Sequence, residues 1–144
     1  MNPAPPWLYA IRLTVRDCEA SARFYRDVLG LESDAPDATD FMIGEIRLEL
    51  AGDSWPERGC LMRQTIRIVL ADIHRVFERC PDQFRVSGPR RTGEGSIAVI
   101  EDPDGNRWDL LEPSEVVLKT LRARRHRLGP IPDLGLDPPG PRRP

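Results

Sequence analysis

The sequence lacks several features that would narrow its function quickly. No apolar run approaches the ~20 residues needed to cross a bilayer. The opening MNPAPPWLYAIRL has neither the basic start nor the unbroken apolar stretch of a secretion signal, so a cytoplasmic location with no membrane partner is expected. Cysteine is scarce: Cys18, Cys60 and Cys80 are widely spaced and form no CxxC pair, which excludes a disulfide framework and a zinc cluster and leaves reduced thiols. Histidine is scarcer, with only His74 on the solvated side of an expected helix and His126 in an arginine-rich run. Neither charge sign dominates: 21 basic against 23 acidic side chains give a net charge of -2, which excludes the basic surplus of a nucleic-acid-binding protein. With 40% hydrophobic and 31% charged residues in 144, one folded domain is expected rather than a disordered chain.

Proline is in surplus, with 15 residues, about twice the usual ~5% share. Pro3, Pro5 and Pro6 precede the first strand-like run, and six more lie between Pro130 and Pro144. Proline breaks helices and cannot donate to a strand ladder, so the folded part is expected over about 1–128, with an extended proline-rich arm over 129–144.

Inside that part the sequence repeats weakly. Ile11-Arg12-Leu13-Thr14-Val15-Arg16-Asp17 recurs as Ile66-Arg67-Ile68-Val69-Leu70-Ala71-Asp72. Each copy reads as a strand ending in an aspartate suited to cap a helix. The first helix would run from Cys18 to a stop at Gly30, with one ring of Phe24-Tyr25 in the core and the other partly exposed; the second would run from Ile73 to Cys80. Strands are expected after each: Leu31–Ser33, Phe41–Ile43 and Ile46–Leu50 around a Gly44-Glu45 turn, then Phe84–Ser87, Ser96–Glu101 and Arg107–Glu112 around Asp104-Gly105-Asn106. The pattern is α+β: two βαβββ modules, about 8–52 and 65–113, followed by a helix over about 114–128.

FYRDVLGLE (Phe24 to Glu32) and EDPDGNRWDLLEP (Glu101 to Pro113), in this order on a duplicated strand-helix pattern, resemble the signature stretches of the vicinal oxygen chelate superfamily. That group includes glyoxalases, extradiol dioxygenases and bleomycin resistance proteins. The resemblance spans about Leu8 to Pro113 and implies a curved mixed sheet whose concave face holds a ligand cleft. It also implies a homodimer with exchanged arms or modules. Metal-dependent members place a histidine on the first strand of each module and a glutamate on the last. Carried over, those positions are Ala10 and Thr65 for the histidines, and Glu49 and Asp109 for the carboxylates. An alanine methyl or a threonine hydroxyl does not replace an imidazole, so no metal and no other cofactor is expected.

Strand alternation then selects the side chains that share the polar face. Arg12 and Thr14 follow from Ala10, Arg67 and Val69 from Thr65, Arg47 from Glu49, and Arg107 and Leu111 from Asp109. The expected ligand site is therefore Arg12, Thr14, Arg47, Glu49, Thr65, Arg67, Arg107 and Asp109. Its four arginines either pair with Glu49, Asp109 and nearby acids, or receive a polar or anionic ligand.

Sequestration of a small molecule, as in an antibiotic-resistance protein, is the first functional reading. The alternative is a lyase or isomerase using Glu49 or Asp109 as general base beside arginines that stabilise negative charge, or holding a weak carboxylate-bound metal. Gly88–Gly95 (GPRRTGEG) reads as a mobile loop at the cleft rim rather than a phosphate loop, since it lacks the required lysine and opens no helix. Trp7, Tyr9 and Trp55 are candidates for the cleft mouth. Cys60, between Arg58 and Arg63, lacks the partnering base of a nucleophile.

Overall fold

A computed structural model describes residues 8–52 and 64–128, the last four of these by backbone alone. Trp7, Trp55, Cys60, the side chain of His126 and the proline-rich arm lie outside the described residues. Both aspartate caps form as the repeat predicts. Asp17 accepts from the Ala20 amide at 3.0 Å and starts α1 (Cys18–Asp27); Asp72 accepts from the Arg75 amide at 3.0 Å and starts α2 (Ile73–Arg79). Each cap satisfies a helix N–H that the backbone cannot pair internally.

The strands form two sheets. β1 (Ala10–Thr14), β2 (Asp40–Ile43) and β3 (Ile46–Ala51) make the first in the order β1-β3-β2, with β1 parallel to β3. β4 (Thr65–Val69), β5 (Arg85–Thr92), β6 (Gly95–Glu101) and β7 (Arg107–Pro113) make the second in the order β4-β7-β6-β5, with β4 parallel to β7. A last helix, α3 (Glu115–Leu128), follows. The chain is thus α+β, with a strand-helix-strand pattern repeated in each half.

Three expectations need correction. Leu31–Ser33 is not a strand: it contributes a single antiparallel bridge, Glu32 to Met42, so the first sheet has three strands rather than four. Gly88–Gly95 is not a loop, because Gly88 to Thr92 belong to β5 and only the tight turn to Gly95 leaves the ladder. A side chain at Gly95 would put Cβ 2.1 Å from the Glu112 carbonyl oxygen, and its φ is +136°, so the glycine there reflects close backbone approach. Lastly, Phe24 and Tyr25 are both buried.

The apolar face of each strand packs as the alternation predicts: Leu13, Leu48, Leu50, Ile68, Trp108 and Leu110 are all buried beneath the helices. α1 joins the halves. The Tyr25 ring meets Phe41 of the first sheet (centroids 6.0 Å apart) and Trp108 of the second (5.4 Å), while Phe24 reaches Phe84 at 5.5 Å. Each such pair adds about 0.5–1.5 kcal/mol beyond the area it buries.

Polar bonds between the halves run through the β6–β7 turn. The buried Asp102 carboxylate accepts from the Asp104 amide (2.9 Å), the Asn106 amide (2.8 Å), Asn106 Nδ2 (2.8 Å) and the Tyr25 hydroxyl. Trp108 Nε1 donates to the same hydroxyl at 3.2 Å. Asp104 accepts from the Arg16 amide (3.1 Å), Arg16 Nε (2.9 Å) and Ser21 Oγ (3.2 Å), so one turn holds the entire β1–α1 corner. Arg79 of α2 donates to the Val28 carbonyl at 3.0 Å and closes the C-terminus of α1.

Burial first, then the Asp102 charge, pushes the Tyr25 hydroxyl far above the usual 10.0. Only the unfolded chain then ionises this tyrosine as pH climbs past its ordinary value, so stability present below that pH is lost above it. Tyr25→Phe should lower stability at neutral pH by about 1–3 kcal/mol, because a buried carboxylate loses a donor, and should flatten the alkaline loss. Urea midpoints of both proteins at neutral pH and at about pH 11 check this; equal midpoints at neutral pH would contradict the assignment.

Candidate functional site

The faces turned away from the helices carry the expected polar residues, and strand register arranges them in rows. On the first sheet, Met42, Arg47 and Ala10 lie side by side across β2, β3 and β1, with Asp40, Glu49 and Arg12 in the next row and Ala51 and Thr14 beyond. On the second, Thr65, Arg107 and Glu101 form one row across β4, β7 and β6. Arg67, Asp109, Val99 and Ser87 form the next, and Val69, Leu111, Ile97 and Arg90 the last. Ile97 and Val99 were not selected from sequence, and Arg90 was expected on a mobile rim loop able to close over a ligand rather than on a strand. The period of two along β6 would have found the first two, given Asp109 as the reference. Arg90 needed the β5 register, which shifts at irregularities between Arg85 and Arg90.

All four selected arginines meet carboxylates. Arg12 Nε and Nη2 reach one oxygen of Glu49 at 3.0 and 2.8 Å, a consequence of their facing positions on parallel strands. Arg67 lies between Glu94 (3.4 Å) and Asp109 (3.7 Å), Arg47 meets Asp40 at 3.4 Å, and Arg107 meets Glu101 at 3.6 Å. Five carboxylates thus accompany four guanidiniums, which removes the surplus of positive charge suggested by counting Glu49 and Asp109 alone. Arg90 adds a cation with no ion-pair partner among the described residues. Its guanidinium is exposed, at the end of the row Val69-Leu111-Ile97.

These pairs orient more than they stabilise. Arg12 is 52% exposed and Arg67 56%, and ion pairs so open to water are worth about 0–1 kcal/mol each. Their consequence is directional: a guanidinium anchored on one side by a carboxylate presents its remaining N–H groups outward. Thr14 and Thr65 are exposed on the same faces, Tyr9 stands exposed at the start of β1, and Leu111 is on its predicted face but buried.

The residues at the positions where the resemblance implies metal ligands do not fit a divalent transition metal. Ala10 and Thr65 supply no nitrogen, and Glu49 is already held by two N–H donors from Arg12. Among the described residues, no three His, Cys, Asp or Glu side chains converge as a metal site would require. His74 is exposed on α2, away from these faces. Cys80 is buried, and burial pushes its thiol pKa up, which makes it a poor nucleophile.

A distinct groove of about 510 Å³ lies on the flank of α1, against the segment that leads into β2. Neither sheet's outward face contributes to its lining. Among the described residues, no helix is long and apolar enough to cross a membrane.

Known proteins agree with this fold. TnmS3, titled an antibiotic-binding protein from Streptomyces sp. CB03234, is 25% identical, with 78% of this chain and 100% of that chain covered and a TM-score of 0.58. The lactoylglutathione lyase of Agrobacterium tumefaciens is also 25% identical, with 74% and 92% covered and a TM-score of 0.53. Oxidase ChaP-H2 is 25% identical as well, with 76% and 94% covered and a TM-score of 0.56. No curated protein matches the sequence. The family model of the Glyoxalase/Bleomycin resistance protein/Dioxygenase superfamily matches residues 7–110, so the chain belongs to that superfamily.

Proposed function

We propose that this protein is a metal-independent small-molecule-binding member of its superfamily, taking an oxygen-rich ligand on the outward sheet faces. The observation that carries the reading is the Arg12–Glu49 contact. Where a metal-dependent relative would place a metal-binding carboxylate, this chain has a carboxylate committed to a guanidinium. The same contact commits one carboxylate oxygen of Glu49 to Arg12 and leaves only the other to act on a substrate. Asp109 lies beside Arg67 in the corresponding pair of the second sheet.

The ligand's character follows from the rows. Val69, Ile97 and Val99 offer an apolar strip for a flat body, and Arg12, Thr14, Arg47, Thr65, Arg67 and Arg107 offer donors to its oxygen atoms. With carboxylates matching guanidiniums, a multiply charged anion gains little, and a ligand of low net charge fits better. The antibiotic-binding relative TnmS3 is in keeping with sequestration, while the lyase and the oxidase of equal identity keep turnover as the alternative.

A panel of hydroxylated aromatic carboxylates, gallate among them, titrated by calorimetry tests this. Arg12→Ala or Arg67→Ala should weaken binding by roughly tenfold to a hundredfold, the effect of losing a charged hydrogen-bond donor. Unchanged affinities in both variants would refute the ligand face. Dialysis against a chelator should leave the affinity unaltered, with metal well below one per chain by elemental analysis. Affinity that falls with chelation and returns with added Mn²⁺ or Zn²⁺ would instead establish the carboxylate-bound metal.

The protein is further proposed to work as a homodimer whose proline-rich arm, residues 129–144, reaches the second copy. Its support is the sequence of that arm, with six prolines and the apolar residues Ile131, Leu134 and Leu136. Truncation after Leu128 should shift sedimentation toward monomer at micromolar concentration. A dimer of undiminished affinity would remove the arm from the interface.

A further inference from the structure

Independently of the outward sheet faces, we infer that the groove on the flank of α1 is a second ligand site, one that takes a small monocarboxylate with an apolar body. At about 510 Å³ it has the size of a small-molecule site. Its walls include Ala22 and Pro36, with the Cys18 thiol at one end of the helical stretch that lines it.

Arg26 is the residue that points to a ligand. Its Nε is buried and has no hydrogen-bond partner, and among the described residues its guanidinium makes no ion pair. Its only partner of note is the face of the Phe41 ring, 6.0 Å from the guanidinium carbon to the ring centroid. Nearby arginines behave differently. Arg16 donates to Asp104, Arg79 to the Val28 carbonyl, and Arg85 to the carbonyls of Cys80 and Glu78. An unbonded, buried Nε on a partly exposed arginine is unfavourable in the unliganded protein, and a carboxylate entering the groove and drawing the side chain toward it would supply the missing acceptor. A planar carboxylate also matches the Nε and Nη donors of one guanidinium edge, with its body against Ala22 and Pro36.

The other charges in the groove restrict the ligand. Glu19 is paired with Arg23 at 3.8 Å, which weakens its repulsion of an anionic ligand. Asp37 also lines the groove and finds no ion pair among the described residues, so a ligand with a second negative charge is disfavoured. Benzoate meets these requirements, and benzamide is its neutral counterpart of nearly the same shape.

Cys18 makes the test local, being a free and partly exposed thiol in the groove, whereas Cys80 is buried. Alkylation of the full-length protein by iodoacetamide is followed at Cys18 by peptide mass spectrometry, with benzoate or benzamide present. At benzoate concentrations about ten times its Kd, Cys18 alkylation should slow roughly tenfold, and benzamide should give no protection. Arg26→Gln should abolish the benzoate effect, while Arg67→Ala, on the second sheet, should leave it intact. Equal protection by benzamide, no protection by benzoate up to its solubility, or full protection in Arg26→Gln would each overturn the site. Should Arg26→Gln fold poorly, the benzoate and benzamide comparison on the unaltered protein decides alone. Retained protection in Arg67→Ala separates this site from the sheet-face reading, whose own failure would leave it standing.

Discussion

The buried bond between the Tyr25 hydroxyl and the Asp102 carboxylate is the constraint on which the rest of the molecule depends. Tyr25 belongs to the helix of the first half and Asp102 to the last hairpin of the second, 77 residues apart. A buried carboxylate must have its lone pairs occupied or it destabilises the fold. Four donors meet that requirement, and three of them come from the turn's own backbone and Asn106. The fourth comes from across the molecule, which sets how α1 lies against the second sheet. Trp108 and Phe41 pack on the two sides of the same tyrosine, so polar and apolar contacts specify one arrangement.

From that arrangement the functional surfaces follow. With α1 and α2 covering one side of the sheets, the other side is left for charged residues, and parallel pairing of first and last strands puts Arg12 opposite Glu49 and Arg67 opposite Asp109. Both pairs neutralise charge within the outward faces. Such pairing orients the remaining N–H groups of each guanidinium away from its carboxylate. The same covering by α1 creates its flank groove, where Arg26 has Phe41 beneath it and its Nε finds no acceptor among the described residues.

Where local reading of the chain succeeded, the cause was short-range. The two aspartate caps, the helix stop near Gly30, the Gly44 turn and the alternation along β1, β4 and Arg107–Leu110 of β7 depend on neighbouring residues, and all appear in the structure. Where it failed, the cause was a partner far away in sequence. Gly88 to Thr92 reads as a loop because glycine, proline and arginine have weak strand preference, yet β6 beside it supplies a ladder. Leu31–Ser33 reads as a strand by composition, but only Glu32 finds a partner. Phe24 and Tyr25 could not both be assigned to the core from helical periodicity, since a second sheet had to close over the other side of α1.

The sequence by itself determined the superfamily, the two-module pattern and the strand faces, because these follow from signature stretches and from a period of two or 3.6. Only the tertiary structure decided the charge balance of the site. Asp40, Glu94 and Glu101 become neighbours of Arg47, Arg67 and Arg107 through register and side-chain reach, neither of which is written in any one segment. Only the tertiary structure, likewise, separated Arg26 from the other arginines: whether a guanidinium is bonded, solvated or buried without an acceptor depends on what the fold brings within about 3 Å of it.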